Sequence, residues 1–165
     1  EAKGAVELLL AQAYARRDHV ALVSYRGTRA EVLLSPTRSL MQTKRRLAAI
    51  PGGGATPLAA GLSAAMEIAQ TANQKGLTPT IVLLADGRAN VGLDGDANRA
   101  QAASDAQSLA AKIAAARIEA LVIDTTNRPE KSLKQLASSM DAKYIALPRA
   151  DARRVSSAIS ASLTE

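Results

Sequence analysis

The chain has 165 residues and a formal net charge of +6 at pH 7, enough length for one domain with a real core. It has no cysteine, tryptophan or phenylalanine, and Tyr14, Tyr25 and Tyr144 are its aromatic residues. That composition excludes disulfides and thiolate metal sites, and it argues against single-stranded nucleic-acid binding by base stacking. No run approaches the ~20 apolar residues of a membrane helix and no signal peptide is visible, so the expected location is the cytoplasm.

In chain order, Ala5, Leu8, Leu9 and Ala13 recur at helical spacing, which predicts an amphipathic helix over 1–17. Val20 to Val23 form a strand core, Gly27 permits a turn, and Glu31 to Leu34 form a second strand, so a hairpin is expected. A basic helix follows over 38–49. Gly52, Gly53 and Gly54 form a loop, and Thr56-Pro57 supplies the preferred N-cap and first-turn residues of a helix that Gly76 ends. Residues 80–85 are a continuous apolar run, the signature of a strand covered on both faces. A polar loop over 87–96 precedes an Ala-rich helix over 97–116. Ala120 to Ile123 form another buried strand that ends on Asp124. A helix over 129–140, a short strand over 143–147 and a closing helix over 151–163 complete the chain. This alternation predicts a doubly wound α/β fold in one domain, 1–165.

Candidate chemistry gathers at two loops. Thr56 stands at a helix N-terminus after three glycines, which let a backbone approach a ligand closely. Asp86 ends the 80–85 strand, and strand ends in such sheets face the ligand crevice. Their hydroxyl and carboxylate oxygens suit a hard cation such as Mg²⁺. Each residue also has a plain role open to it, Thr56 as a helix cap and Asp86 as the start of an Asp-Gly turn. Asp124 repeats the strand-end pattern, with a cap or turn involving Thr125 and Thr126 as its alternative. The glycine loop lacks the Gly-Lys-Ser/Thr of a phosphate loop, and it follows a helix where a dinucleotide fingerprint should follow a strand. Asp94 and Asp96 lack the further ligands of a calcium loop. His19 has no evident catalytic partners, and no Gly-x-Ser-x-Gly elbow occurs. Lys44, Arg45 and Arg46 give a solvated helix face or a surface for an acidic partner or nucleic acid, and no recognition-helix motif supports the last.

The Pro51-to-Leu58 loop with Thr56, the strand ending Ala85-Asp86-Gly87-Arg88-Ala89-Asn90, and the element order resemble a von Willebrand factor A (integrin I-like) domain. The resemblance covers nearly the whole chain. Val20 to Gly27, with Tyr25-Arg26-Gly27, and Val122-Ile123-Asp124-Thr125 make it closer to the D-subunit family of magnesium chelatases. The resemblance implies a Rossmann-like, mostly parallel sheet flanked by helices. It also implies a divalent-cation adhesion site in which Thr56 and Asp86 are ligands. The remaining ligands of that family lie in an Asp-x-Ser-x-Ser motif after a first, central strand. Neither that motif nor that strand is found in this chain.

By the same resemblance, Mg²⁺, or alternatively Mn²⁺, would bridge to a carboxylate of a partner subunit, and no nucleotide would bind this domain. Gly53, Gly54, Arg88, Lys44, Arg45 and Arg46 are the expected partner-binding residues. The implied partners are an AAA+ ATPase subunit and a porphyrin-binding large subunit, in a hetero-oligomer that inserts Mg²⁺ into protoporphyrin IX with ATP. Catalysis would then belong to the complex and not to this domain. The rival readings are another adhesion or scaffold domain of the same fold, a small metal-dependent phosphate-ester enzyme using Asp86, and a packing module with a vestigial metal site.

Overall fold

The computed structural model describes residues 2–27, 29–49, 57–85, 92–93, 98–124, 126, 128 and 131–146. Helix α1 (Ala2–Ala15) leads into strand β1 (Val20–Arg26) and strand β2 (Arg29–Thr37). These strands pair antiparallel, with Arg26 opposite Arg29 at the turn, as the hairpin reading expects. Gly27 there has a φ of +67°, a conformation that a Cβ disfavours. Helix α2 (Leu40–Ala48) follows, capped by Ser39, whose hydroxyl accepts from the Gln42 backbone N–H.

Helix α3 (Leu58–Gln74) connects to strand β3 (Thr80–Ala85) through a tight helix stop. The expected cap assignment is corrected by one residue. Pro57 occupies the N-cap position of α3 with no side-chain cap hydrogen bond, and Leu58 is the first helical residue. Proline's fixed φ suits either position and leaves the choice to the packing around it. Helix α4 (Arg99–Ala115), strand β4 (Glu119–Asp124), helix α5 (Lys131–Ser139) and strand β5 (Lys143–Ala146) complete the described elements. Asn98, not Ala97, opens α4: its side chain accepts from the Gln101 N–H. The expected closing helix over 151–163 lies outside the described residues.

Helix ends explain most of the boundary shifts. At α3, Gly76 takes a φ of +80°, its N–H donates to the Asn73 carbonyl, and the Leu77 N–H donates to the Ala72 carbonyl. This is the Schellman arrangement, which satisfies carbonyls orphaned at a helix end. Helices α1, α4 and α5 end the same way, but with Arg17, Arg117 and Asp141 at φ of 60°, 57° and 54°. No glycine marks those stops, and the sequence reading runs each helix past its end.

Strands β3, β4 and β5 form a parallel sheet in that order, and β1 and β2 form a second, two-stranded sheet. The larger sheet is buried on both sides at β4, where Leu121, Val122 and Ile123 are all at 3% exposure or less. Val122 joins a cluster with Leu58, Leu62, Ile81, Leu83, Leu109, Ile113 and Leu133, while Leu121 and Ile123 alternate onto the opposite face. Covering both faces is what makes the run continuously apolar.

Helix α3 packs against β1, β2, β3 and α4, and so joins the two sheets. At that junction Gly61 lies against Tyr25, where a Cβ would come within 2.9 Å of the ring. The Tyr25 hydroxyl donates to the Leu84 carbonyl of β3 at 2.8 Å. Among the described residues β1 pairs with β2 alone and β3 with β4 alone, so each keeps one ladder edge without a strand partner. The apolar run of β1 accordingly stays half-buried along its whole length.

Candidate functional site

The site is built on the carboxyl edge of the parallel sheet. Ala85 of β3 lies in register with Asp124 of β4, so both strands end at one edge. Helix α3 reaches that edge from the opposite direction. Its C-terminus turns at Gly76 directly into β3, and the helix packs back along the strand. Seventeen residues of helix rise about 25 Å, enough to pass the full length of β3. Pro57, under 2% exposed, and Leu58 therefore belong to the same end of the domain as Ala85. The fold brings a helix N-terminus and two strand C-termini to one crevice, as open α/β sheets do.

Thr56 precedes Pro57 in the chain and Asp86 follows Ala85. Thr56 and Asp86 themselves lie outside the described residues, as do Gly53, Gly54, Arg88, Asp94 and Asp96. What is described is the frame on either side of them. Further along the chain, the Leu93 backbone N–H donates to Asp105 of α4 at 2.8 Å. The other Asp105 oxygen accepts from Gln101 at 2.7 Å. This anchor had no signal in the sequence, since an acid within an exposed helix reads as a solvated charge.

Asp124 has a structural role in this frame. It is 1% exposed. One carboxylate oxygen accepts from the Thr126 backbone N–H at 2.9 Å and from the Thr126 hydroxyl. The other accepts from the Tyr144 hydroxyl at 2.6 Å. A buried carboxylate needs such partners, because losing water without compensation costs several kcal/mol, roughly. The turn with Thr126 is the alternative that the sequence left open, and the structure has it. Tyr144 was not foreseen. It sits on β5 opposite Val122, on the Asp124 face, with the Lys134 ammonium 5.8 Å from its ring centre. These contacts link β4 to Thr126 and to β5, and β5 to α5 through Lys134.

Of the other expected residues, Lys44, Arg45 and Arg46 are all exposed on α2. They lie on the helix that leads into the 50–56 segment and Thr56. His19 is exposed beyond the end of α1. Among the described residues no three His, Cys, Asp or Glu side chains gather as a metal site. No helix among them is long and apolar enough to cross a membrane. An open groove of about 460 Å³ runs between Leu58 and the first halves of α4 and α5, with Arg99 and Lys131 at its rim.

The family model for the von Willebrand factor type A domain matches residues 1–88. The chain is 60% identical over 163 residues to the magnesium-chelatase 60 kDa subunit of Cereibacter sphaeroides, covering 99% of this chain and 29% of that protein. It is 56% identical to the subunit of the same description from Rhodobacter capsulatus, again over 99% of this chain and 29% of the relative. The chain thus spans less than a third of the length of either relative. Among solved structures, the SpRpn10 VWA domain superposes with a TM-score of 0.70 at 13% identity, covering 95% of this chain and 79% of that one. At that identity the likeness concerns the fold.

Proposed function

Because this chain belongs to the von Willebrand factor type A domain family, we propose that it is the partner-binding domain of a magnesium chelatase subunit. The assembly would be a cytoplasmic, ATP-dependent ligase that forms metal–nitrogen bonds, inserting Mg²⁺ into protoporphyrin IX for (bacterio)chlorophyll synthesis. The observation that carries the reading is the 60% identity over 163 residues to a chelatase subunit. The domain's own task is binding, and the chemistry belongs to the rest of the assembly. Its partners are an AAA+ ATPase subunit and a large porphyrin-binding subunit, and no nucleotide binds here.

The proposed contact uses a resident Mg²⁺ or Mn²⁺, distinct from the Mg²⁺ that is the reaction's substrate. The hydroxyl of Thr56 and the carboxylate of Asp86 are hard oxygen donors that fit such an ion. Bound there, the cation supplies an open coordination position for a carboxylate of the ATPase subunit. Pro57 and Ala85, both buried, are the chain neighbours of the two proposed ligands. Asp105 and Asp124 fix the segments that flank the crevice. Gly53 and Gly54 allow the partner close to the backbone. Arg88, Lys44, Arg45 and Arg46 favour an acidic partner and raise its encounter rate. The remaining ligands are assigned to an Asp-x-Ser-x-Ser strand elsewhere in the longer protein. A strand carrying them would pair beside β1 and β3, each of which has one strand neighbour among the described residues.

The test is a titration of the full-length protein with the ATPase subunit, in Mg²⁺ and then in EDTA. Binding that requires the cation supports the adhesion-site reading. Equal affinity in EDTA refutes it.

A further inference from the structure

Helix α2 carries a surface that its charge alone does not explain. Thr43 and Leu47 are buried and Leu40 is half-buried, so one face of the helix packs on the domain. At 100° per residue the opposite crest belongs to Arg45, with Met41 and Gln42 on its two sides, Lys44 beyond Met41 and Arg46 beyond Gln42. Met41 is 73% exposed, the highest value among the large apolar side chains described. Lys44 and Arg45 follow it at three and four residues, the spacings at which helical neighbours meet, and Arg38 lies just ahead of the Ser39 cap. Arg38, Lys44, Arg45 and Arg46 are exposed, and among the described residues none is within ion-pair distance of a carboxylate. No Asp or Glu occurs between Glu31 and Glu67.

Part of this has a local cause. Arg45 and Arg46 stand in the last turn of α2, where cations offset the helix dipole by about 0.3–1 kcal/mol each. The dipole accounts for neither Arg38 nor Met41. An isolated exposed apolar side chain needs no explanation. One flanked by Lys44 and Arg45, neither of them ion-paired among the described residues, with the arginine and methionine content of protein contact surfaces, does point to a partner.

We propose that the α2 crest is a docking surface for an acidic segment of the partner subunit, one that places an aliphatic side chain on Met41 between its carboxylates. The inference deepens the partner-binding reading and rests on it. It differs from that reading in a measurable way. Cations that only steer a partner act on the association rate, and salt removes the effect. A short-range contact at Met41 acts on the dissociation rate, with little change in association. Because the contact is made by α2 itself, it persists without a divalent cation.

The experiment measures association and dissociation rates of the full-length protein with the ATPase subunit, in Mg²⁺ and in EDTA. Met41→Ala, Met41→Leu, Arg45→Gln and Asp86→Ala are compared with the wild type. Met41→Ala should raise the dissociation rate about tenfold in both buffers, with association within about twofold. Met41→Leu should restore most of the loss. Arg45→Gln should slow association and speed dissociation. The 73% exposure of Met41 leaves folding intact in its variants, which circular dichroism verifies. A Met41→Ala dissociation rate equal to wild type overturns the proposal. If Asp86→Ala abolishes binding in that case, the cation bridge stands without the α2 dock. If Met41→Ala accelerates dissociation while Asp86→Ala and EDTA do nothing, the dock stands and the cation bridge falls. Absence of wild-type binding in both buffers overturns both. Short duplex DNA that binds as tightly, with the same Met41 dependence, would replace the acidic protein segment as the occupant.

Discussion

Gly61→Ala offers a sharp test of how α3 is seated. By helix propensity alone, alanine in place of glycine within α3 should stabilise by about 1 kcal/mol. The structure opposes this. The new methyl group would lie 2.9 Å from Cγ of Tyr25, 3.0 Å from its Cβ and 3.0 Å from Cδ1. These atoms are the root of the side chain, fixed to β1, so relief needs a shift of strand or helix. Overpacking of this kind costs about 1–3 kcal/mol. Moving Tyr25 also strains its hydrogen bond to the Leu84 carbonyl, worth about 1 kcal/mol. The net expectation is a loss of about 2 kcal/mol, or about 4–8 °C in melting temperature for a domain of this size. Urea unfolding of the single variants and of a Tyr25→Ala, Gly61→Ala pair measures it. With the ring gone, Gly61→Ala should change sign and stabilise by about 0.5–1 kcal/mol, a coupling near 3 kcal/mol between touching residues. A Gly61→Ala chain more stable than wild type would refute the reasoning.

Other expectations are independent of that contact. Tyr144→Phe leaves a buried Asp124 oxygen short of one donor and should cost about 1–3 kcal/mol, read as a lower urea midpoint. Gly76→Ala should destabilise by about 1 kcal/mol, because Gly76 holds a φ of +80°. Arg117→Gly, at a φ of 57° in the equivalent position of α4, should stabilise by up to about 1 kcal/mol. Calorimetry of the two variants would show shifts of opposite sign. Asp86→Ala should abolish cation-dependent association with the ATPase subunit while leaving the melting temperature within about 2 °C; a large loss of stability would instead give Asp86 a structural role.

The fold was legible where hydrophobic period and burial agree. Residues 120–123 are apolar because both faces of β4 are covered. Strand β3 buries Ile81, Leu83 and Ala85 on one face and leaves Val82 and Leu84 half-buried on the other, so the expected cover on both faces holds for β4 alone. Both strands fall where the pattern puts them. The helix stop at Gly76 was legible because glycine announces a left-handed residue. The stops at Arg17, Arg117 and Asp141 use the same geometry without that residue, so α1, α4 and α5 read too long. At the candidate site, the strand-end position of Asp124 and its turn with Thr126 were visible in sequence. The reach of Tyr144 from the next strand was not, because it depends on the β4–β5 register. Asp105 was hidden for a similar reason, since its partner is a backbone N–H twelve residues earlier in the chain. Met41 belonged by pattern to the basic helix. Its exposure follows from Thr43 and Leu47 taking the inward face.

Helix α3 ties stability to the crevice. Its C-terminus is pinned by the Gly76 turn into β3, and its first turns are pinned by Gly61 against Tyr25. Between those points Leu62 and Ala69 are buried in the core. The helix can neither slide by a turn, about 5.4 Å, nor tilt freely, so the chain entering it at Pro57 arrives at one place. Gly61 is five residues from Thr56, and a displacement that relieves the alanine clash falls on the end of the helix that leads to Thr56. Arg117, by contrast, lies at the far end of α4, where β4 begins. A change at Gly61 should therefore weaken cation-dependent partner binding even at temperatures where the variant is folded. A change at Arg117 should move stability and leave binding where it was. That division is expected if the proposed site hangs from the α3 N-terminus and the β3 C-terminus together.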